Sequence, residues 1–445
     1  MGLTGIQIFK LLPKTNCGEC GSPTCLAFAM ALGAGKAELD KCPYVSDEAK
    51  AQLSEASAPP IRPLTIGVGD YAVKLGGETV MFRHEKTFFN KPGLAVLITD
   101  AMGDAEVDRR FAKVGELQYE RVGLTLRPEL VALKETGNKE KFLGLVKKAA
   151  ATGYGIILMS YDAGVMKEAL DIAKDKKPLI YAATKENADA FGALAKEYAC
   201  TLAAMGAGLE EVVGLTEKLT GMGLKDLVID SGSRSVRDAF YDQVIIRRAA
   251  LQGKMRALGY PTITFPCEMT DNVMKETLIA SLFIAKYAGI IVLSDFEGEN
   301  VFPLLLERLN IYTDPQRPMT TTQGIYPINN PDANSPVLVT CNFSLTYFIV
   351  SGEIENSRVP AWLCVMDTEG LSVMTAWAAG KFVGDVVGPF IKKSGIEEKV
   401  SHKKIIIPGY AAGILGDLEE ELPGWEITVG PREAAHLPAY LKMWK

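Results

Sequence analysis

Leu179-Ile180-Tyr181-Ala182-Ala183 is followed by the helix-like segment Glu186–Tyr198 and then by Thr201-Leu202-Ala203-Ala204-Met205. Two continuous apolar runs separated by one helix read as a strand, a crossover and a second strand parallel to the first, because an antiparallel pair needs only a short turn. Runs without polar alternation belong to strands covered on both faces. Working outward, the same alternation continues through Leu209–Thr220, Leu227–Asp230, Ser235–Ala257, Thr262–Phe265, Asn272–Lys286 and Ile290–Leu293, and ends at Pro318–Thr321. Towards the N-terminus it takes in Gly155–Ser160 and Leu94–Ile98. These are eight strand candidates, the number that closes a barrel, so the central region, 92–323, is expected to be a (β/α)8 TIM barrel with right-handed crossovers. The connection between its first two strands is long and is expected to hold extra helices.

In such a barrel, catalytic groups gather at the carboxyl ends of the strands. Asp100, Asp162, Asp230, Asp295, Cys267 and Glu268 stand there, and Ser231-Gly232-Ser233-Arg234-Ser235 offers amides and a guanidinium for an anion. Asp and Ser are also the ordinary helix N-caps, and no histidine accompanies these carboxylates, so capping is the plainer reading.

A third unit, 324–445, begins where Pro327, Asn329, Asn330, Pro331 and Pro336 break the pattern. Strands Val337–Asn342, Trp362–Met366, Lys404–Ile407 and Glu426–Val429 alternate with helices Leu345–Glu355, Leu371–Ile391, Ile414–Leu422 and Arg432–Met443. Four such repeats cannot close, so an open doubly wound, Rossmann-like sheet is expected, with any ligand across the strands' carboxyl ends. The loops there, including Thr340–Ser344, Asp367–Val373, Pro408–Gly413 and Gly430–Glu433, are rich in glycine and small hydroxyl residues. They suit a flat or phosphate-bearing cofactor better than acid–base chemistry.

At the other end, Cys17, Cys20, Cys25 and Cys42 form C-x2-C-x4-C-x16-C among Gly18, Gly21 and Pro23. Three thiols within nine residues and no nearby histidine suit a [4Fe–4S] cluster, with four-thiolate zinc as the alternative. Residues 1–58 are then a small cluster domain that cannot build a core without its metal. Ala58-Pro59-Pro60-Ile61-Arg62-Pro63 opens an expected linker region, 59–91, which ends in a glycine-rich stretch compatible with a hairpin. Cys200, Cys267, Cys341 and Cys364 are scattered along apolar runs and read as small buried hydrophobes in a reducing compartment.

Composition narrows the classes. The 445 residues, 48% hydrophobic, suffice for about three domains. A net charge of −6 without a basic stripe argues against nucleic acid and an anionic membrane surface. No run reaches the roughly twenty apolar residues of a membrane span and no export signal is legible, so the expected location is the cytoplasm.

The succession of a cysteine module with Cys17-Gly18-Glu19-Cys20-Gly21-Ser22-Pro23-Thr24-Cys25, a proline run, a barrel, and a C-terminal α/β unit with Gly370-Leu371-Ser372-Val373 resembles one family over essentially the whole chain. It is the large (gamma) subunit of the corrinoid iron–sulfur protein of the reductive acetyl-CoA pathway. The resemblance implies a methyltransferase-type methyl carrier. It implies a base-off cobamide in the C-terminal unit, methylated from methyltetrahydrofolate by a separate methyltransferase, which passes the methyl group to acetyl-CoA synthase/CO dehydrogenase. It also implies a [4Fe–4S] cluster on the four cysteines that reactivates oxidised cobalt, and a small subunit completing a heterodimer. For the cobamide it points to Thr340, Thr346, Gly370, Leu371, Ser372 and Val373, with Thr375, Glu433 and Ala434 contributing. There is no D-x-H-x-x-G motif, and His84, His402 and His436 are the only histidines; His402, among charged residues, is expected in solvent. Two other functions stay open. One is a self-contained pterin methyltransferase using Asp100 or Asp162. The other is a cluster-bearing electron carrier with a flavin or nucleotide, which the missing G-x-G-x-x-G disfavours.

Overall fold

The structure, a computed structural model, describes residues 5–33, 37, 39–46, 48–50, 53, 59–121, 123–314 and 318–444. The expected end of the cysteine domain at 54–58, with Ala58 of the proline run, lies outside the described residues. The chain divides into two compact units, 1–118 with 127–312, and 119–126 with 313–445.

In chain order the strands are β1 (Leu64–Ile66), β2 (Val73–Leu75), β3 (Gly93–Thr99), β4 (Tyr119–Arg121), β5 (Leu124–Leu126), β6 (Leu130–Lys134), β7 (Gly155–Met159), β8 (Leu179–Ala183), β9 (Thr201–Met205), β10 (Leu227–Asp230), β11 (Ile263–Thr264) and β12 (Ile290–Leu293). β3 and β6 to β12 form one parallel eight-stranded sheet in sequential order, with β12 returning to β3. A parallel bridge between Ile229 and Thr262, backed by the Ile229 N–H donating to Pro261 O at 2.9 Å, joins β10 to β11 and closes the ring. The interior is a packed core, not a channel: Ala95, Leu130, Ala132, Ile157, Tyr181, Ala203, Val228, Ile263 and Val292 fill it.

Two expectations are corrected. β6 is a barrel strand, paired with both β3 and β7, inside the connection that was expected to hold extra helices. Pro318–Thr321 is not a barrel strand; it lies in the second unit, where Thr320 makes one antiparallel bridge with Phe343. Leu130 to Leu133 are all fully buried, whereas Met319-Thr320-Thr321 offers no apolar run to cover.

In the expected linker region, 59–91, the glycine-bearing stretch does form a hairpin, but one packed into the barrel core rather than spanning a free linker. β1 and β2 form an antiparallel hairpin whose Leu64, Ile66, Val73 and Leu75 join the barrel core, while Thr65 and Lys74 point to solvent. Burying each such aliphatic side chain contributes about 1.5–3 kcal/mol, enough to fix a segment this short. Ion pairs hold the chain that follows. Arg247 donates to Glu78 Oε2 at 2.9 Å and to Val80 O at 2.7 Å, with the guanidinium 3% and Glu78 8% exposed. Arg308 donates to both oxygens of buried Glu129 at 2.8 Å and to the carbonyls of Pro92 and Arg127.

The second unit contains the β4–β5 hairpin and β13 (Gly324–Ile328), β14 (Val337–Cys341), β15 (Ala361–Met366), β16 (Lys404–Ile407) and β17 (Glu426–Val429). The sheet order is β13-β15-β14-β16-β17, all parallel except the edge strand β13. One face carries Val337, Val339, Cys341, Ile405 and Ile407 under helices Val373–Ala378, Gly384–Ser394 and Leu415–Glu421. The other carries Leu338, Leu363, Val365 and Ile406 under Ser344–Ser357 and Leu437–Leu441. The sheet is therefore open with helices on both faces. The expected helix Leu371–Ile391 is two helices, and the expected Arg432–Met443 shrinks to two short turns ending at Leu441.

Arg308→Ala would leave a buried carboxylate, one buried carbonyl and one half-buried carbonyl without their donor. We expect a loss of about 3–5 kcal/mol, read as a lower urea midpoint by circular dichroism; an unchanged midpoint would contradict this account of the barrel's base.

Candidate functional site

The carboxyl ends of the barrel strands are occupied by structural work. Asp162 accepts from the amides of Gly164 and Val165 and caps Ala163–Ala173; Ser235 caps Val236–Leu251 through the Asp238 amide. Asp100 accepts from the amides of Thr136 and Asn138 and from the Thr136 hydroxyl. Burial works against its charge, yet these donors outweigh it and hold the carboxyl below its usual range. Asp295 pairs with Arg109. Asp230 accepts from Tyr181 Oη at 2.7 Å and Arg234 at 2.9 Å, and Arg234 also holds Glu268 at 2.6 Å, which Lys134 shares at 2.9 Å. The guanidinium expected to meet an anion is thus neutralised by two carboxylates. Burial pushes the thiols of Cys267 and Cys364 up to about 12 and that of Cys200 to about 11, as inert hydrophobes require.

The second unit differs. Its strand order reverses direction at β14, with β15 on one side and β16 on the other, and a cavity of about 270 Å³ opens over the carboxyl ends of β14, β16 and β17. That is where an open α/β sheet receives a ligand. Of the residues predicted from sequence, Thr340, Thr346, Ser372, Val373 and Ala434 line it. Thr340, the penultimate residue of β14, is almost fully buried, and Ser372 precedes the short helix Val373–Ala378 with its hydroxyl 3.0 Å from Thr375 Oγ1. Gly370, Leu371, Thr375 and Glu433 are not lining residues: Gly370 and Leu371 belong to the loop before Ser372, and Thr375 and Glu433 are exposed, each bonded to a lining residue. Glu433 accepts from the Tyr410 hydroxyl at 2.9 Å, and Tyr410 does line the cavity.

Two backbone features set this shape. Gly370 has φ +76°, and a Cβ there would stand 2.8 Å from Thr320 Cγ2. Gly409 lies so close to the following loop that a Cβ would meet Arg432 N and Gly430 O at 2.6 Å. Asn342, which sequence reasoning set at the end of a strand and in the following loop without giving it a role, organises the first of these turns. Its Oδ1 accepts from the amides of Thr368 and Gly370 and from the Thr368 hydroxyl, each at 3.0 Å, while its Nδ2 donates to Asp367 at 2.9 Å. An Asn directly after a strand and a glycine-bearing loop after the next strand are the signal that would have found it.

Around the cavity, Leu345, Ile349, Met374, Trp377 and Tyr410 remain exposed, with Trp377 44% accessible. None of the three histidines is a lining residue. His402, expected in solvent, is half-buried at the opposite end of β16, with Nε2 3.0 Å from Ser335 O and Nδ1 accepting from Lys404 N.

In the cysteine module, Cys25 opens the helix Cys25–Gly33 and Cys42 follows the turn Leu39–Lys41. Both are buried with Ile8, Leu12, Phe28 and Val45, whereas Cys20 is half-buried and Cys17 exposed. Tyr44 donates to Glu19 Oε1 at 2.8 Å, tying the segment after Cys42 to the loop between Cys17 and Cys20. That carboxylate raises the phenol's pKa, and the Cys17 and Cys42 sulfurs add to the shift. Among the described residues no three Cys, His, Asp or Glu side chains stand at metal-holding distance, so the thiols share a module without converging on one point. The donor set itself, four thiols on short glycine-bearing loops and no histidine, fits an iron–sulfur cluster.

Asn342→Ala would orphan the amides of Thr368 and Gly370, at about 1–3 kcal/mol for each buried group. Amide exchange at these two residues should quicken while that of barrel strands β6 to β9 stays slow; unchanged protection would contradict the clamp.

Comparison with known proteins agrees with this layout. The family model described as CO dehydrogenase/acetyl-CoA synthase delta subunit matches residues 63–441, and one described as a putative Fe-S cluster matches residues 12–44, which include all four cysteines. The corrinoid/iron-sulfur protein large subunit of Moorella thermoacetica is 44% identical over 444 residues, covering 99% of both chains. The acetyl-CoA decarbonylase/synthase complex gamma subunit of Methanopyrus kandleri is 37% identical, covering 99% of this chain and 97% of its own. That of Methanothermobacter thermautotrophicus is 35% identical, covering 99% of each. The first model omits the cysteine module and carries a delta-subunit name, so the full-length matches decide between subunits. The chain belongs to the family of corrinoid/iron–sulfur protein large subunits and acetyl-CoA decarbonylase/synthase gamma subunits.

Proposed function

We propose that this chain is a corrinoid methyl carrier of the acetyl-CoA pathway, and that the cavity over β14, β16 and β17 is where its cobamide rests. When bound, the cobamide supplies a cobalt nucleophile that takes up and hands on a methyl group, and a [4Fe–4S] cluster supplies the electron that restores it after oxidation. The observation that carries the reading is the coincidence, at one reversal of strand order, of the cavity with Thr340, Thr346, Ser372, Val373 and Ala434.

What these residues do follows from their chemistry. The hydroxyls of Thr340, Thr346 and Ser372 offer donors and acceptors to amide side chains, while Val373, Ile407 and Leu437 give an apolar floor. Gly370 and Leu371 hold the loop back through Asn342 and Thr368; Thr375 orients Ser372, and Glu433 orients Tyr410. A cobamide is far larger than about 270 Å³, so the cavity takes only part of it and the rest lies over the exposed apolar rim. Such a rim calls for a covering partner, and the small subunit is the natural one. The methyltransferase and the synthase would then meet the same cobalt in turn, in the cytoplasm. On this reading 1–58 is the cluster domain, the barrel lies within 92–312 apart from 119–126, and 313–445 with 119–126 is the Rossmann-like cobamide domain. The barrel serves as scaffold, since Asp100 and Asp162, the carboxylates a pterin would need, are committed to amides.

Cys20→Ala separates the two cofactors' roles. Pre-reduced variant protein should accept a methyl group from the methyltransferase at a rate within about twofold of wild type, yet fail to regain activity after cobalt oxidation when given only an electron donor to the cluster. Equal loss of both activities would sink the repair role.

A further inference from the structure

Asn16 is required by three features at once. Its backbone is left-handed, φ 51°, a conformation that Asn tolerates better than most residues. Its side-chain Oδ1 accepts from the Cys25 N–H at 2.8 Å. Its own backbone N–H points at Cys25 Sγ, 3.4 Å away, the reach of a hydrogen bond to sulfur. The two bonds close a ring between the loop ahead of Cys17 and the first residue of the helix Cys25–Gly33, so the side-chain bond fixes where the backbone donor stands. Cys25 is 6% exposed, which leaves water little opportunity to replace that donor.

A donor directed at a ligand sulfur draws electron density from it and favours the more negative, reduced state of the metal centre, so hydrogen bonds to cysteine sulfur raise a cluster's potential. Glu19, in the loop between Cys17 and Cys20 and held by Tyr44, brings charge of the opposite sense. We infer that Asn16 is a positioning residue that sets the potential of the iron–sulfur centre, its side chain anchoring the loop so that its N–H donates to the Cys25 sulfur. This rests on the cluster reading above, and the test keeps the two apart.

Iron is first counted on anaerobically reconstituted wild type; about four per chain upholds the cluster, and none would remove both the cluster and this role. Asn16→Gly keeps the left-handed backbone open and deletes only the acceptor. The variant should retain its iron, and an EPR-monitored redox titration should show a lower midpoint, with the oxidised-to-reduced ratio at the wild-type midpoint raised about tenfold, or about 59 mV for one electron. Full iron with an unchanged midpoint overturns the inference. Should the variant lose its iron, wild type decides instead. Asn16 is the first asparagine of the chain and the next is Asn90, so protein labelled with ¹⁵N only in asparagine reports on Asn16 alone within the module. A ¹⁵N hyperfine coupling to the reduced cluster supports the donor, and its absence overturns it.

Discussion

The side-chain amide of Asn342 decides where the C-terminal sheet opens. A loop following a parallel strand carries amides that must find acceptors, and if it finds them over the strand ends it fills the space a ligand would use. Asn342 gathers the Thr368 and Gly370 amides to the end of its own strand, and Gly370 with φ +76° lets the chain turn away. The cavity then lies on the other side of β14, floored by β16 and β17. In the barrel the same problem has the opposite solution: Asp100 and Asp162 satisfy the loop amides in place, and Asp230 with Arg234 and Glu268 closes the mouth with paired charge. Two sheets built by one alternating pattern therefore differ in the space left at their carboxyl ends because of where their loop amides are paired.

Most barrel strands are legible because burial on both faces writes them as unbroken apolar runs. Leu179–Ala183, Thr201–Met205, Leu227–Asp230 and Ile290–Leu293 form with the bounds their runs suggest. Leu130–Lys134 obeys the same logic, with four apolar residues between Pro128 and Gly137, but it is a short run inside a connection long enough to hold helices. Pro318–Thr321 completed the count of eight without the apolar content a buried strand needs. The hairpin over 64–75 alternates with period two, so its form was readable, but its role as the plug of the barrel depends on contacts far apart in sequence, such as Arg247 with Glu78.

The candidate site was legible unevenly for a related reason. Thr340 and Ser372 could be placed because strand ends and family motif coincide there. Tyr410 and Arg432 stand in loops that the sequence already sets at the strand ends, but their entry into the cavity depends on the tight approach of Gly409 to the loop at Gly430–Arg432, which no local pattern records. In the cysteine module the spacing singles out the four cysteines as candidate ligands, while the Asn16–Cys25 ring and the Tyr44–Glu19 bond appear only when the chain folds back on itself.

On the proposed reading one chain carries both a cluster and a cobamide. Metal content and the visible spectrum of anaerobically purified protein, co-expressed with its small subunit in cells supplied with corrinoid, test it most directly. The account predicts one cobalt and about four irons per chain, with a reduced-cobalt band appearing on low-potential reduction. Iron without cobalt under those conditions would contradict it and return the cavity over β14, β16 and β17 to another ligand.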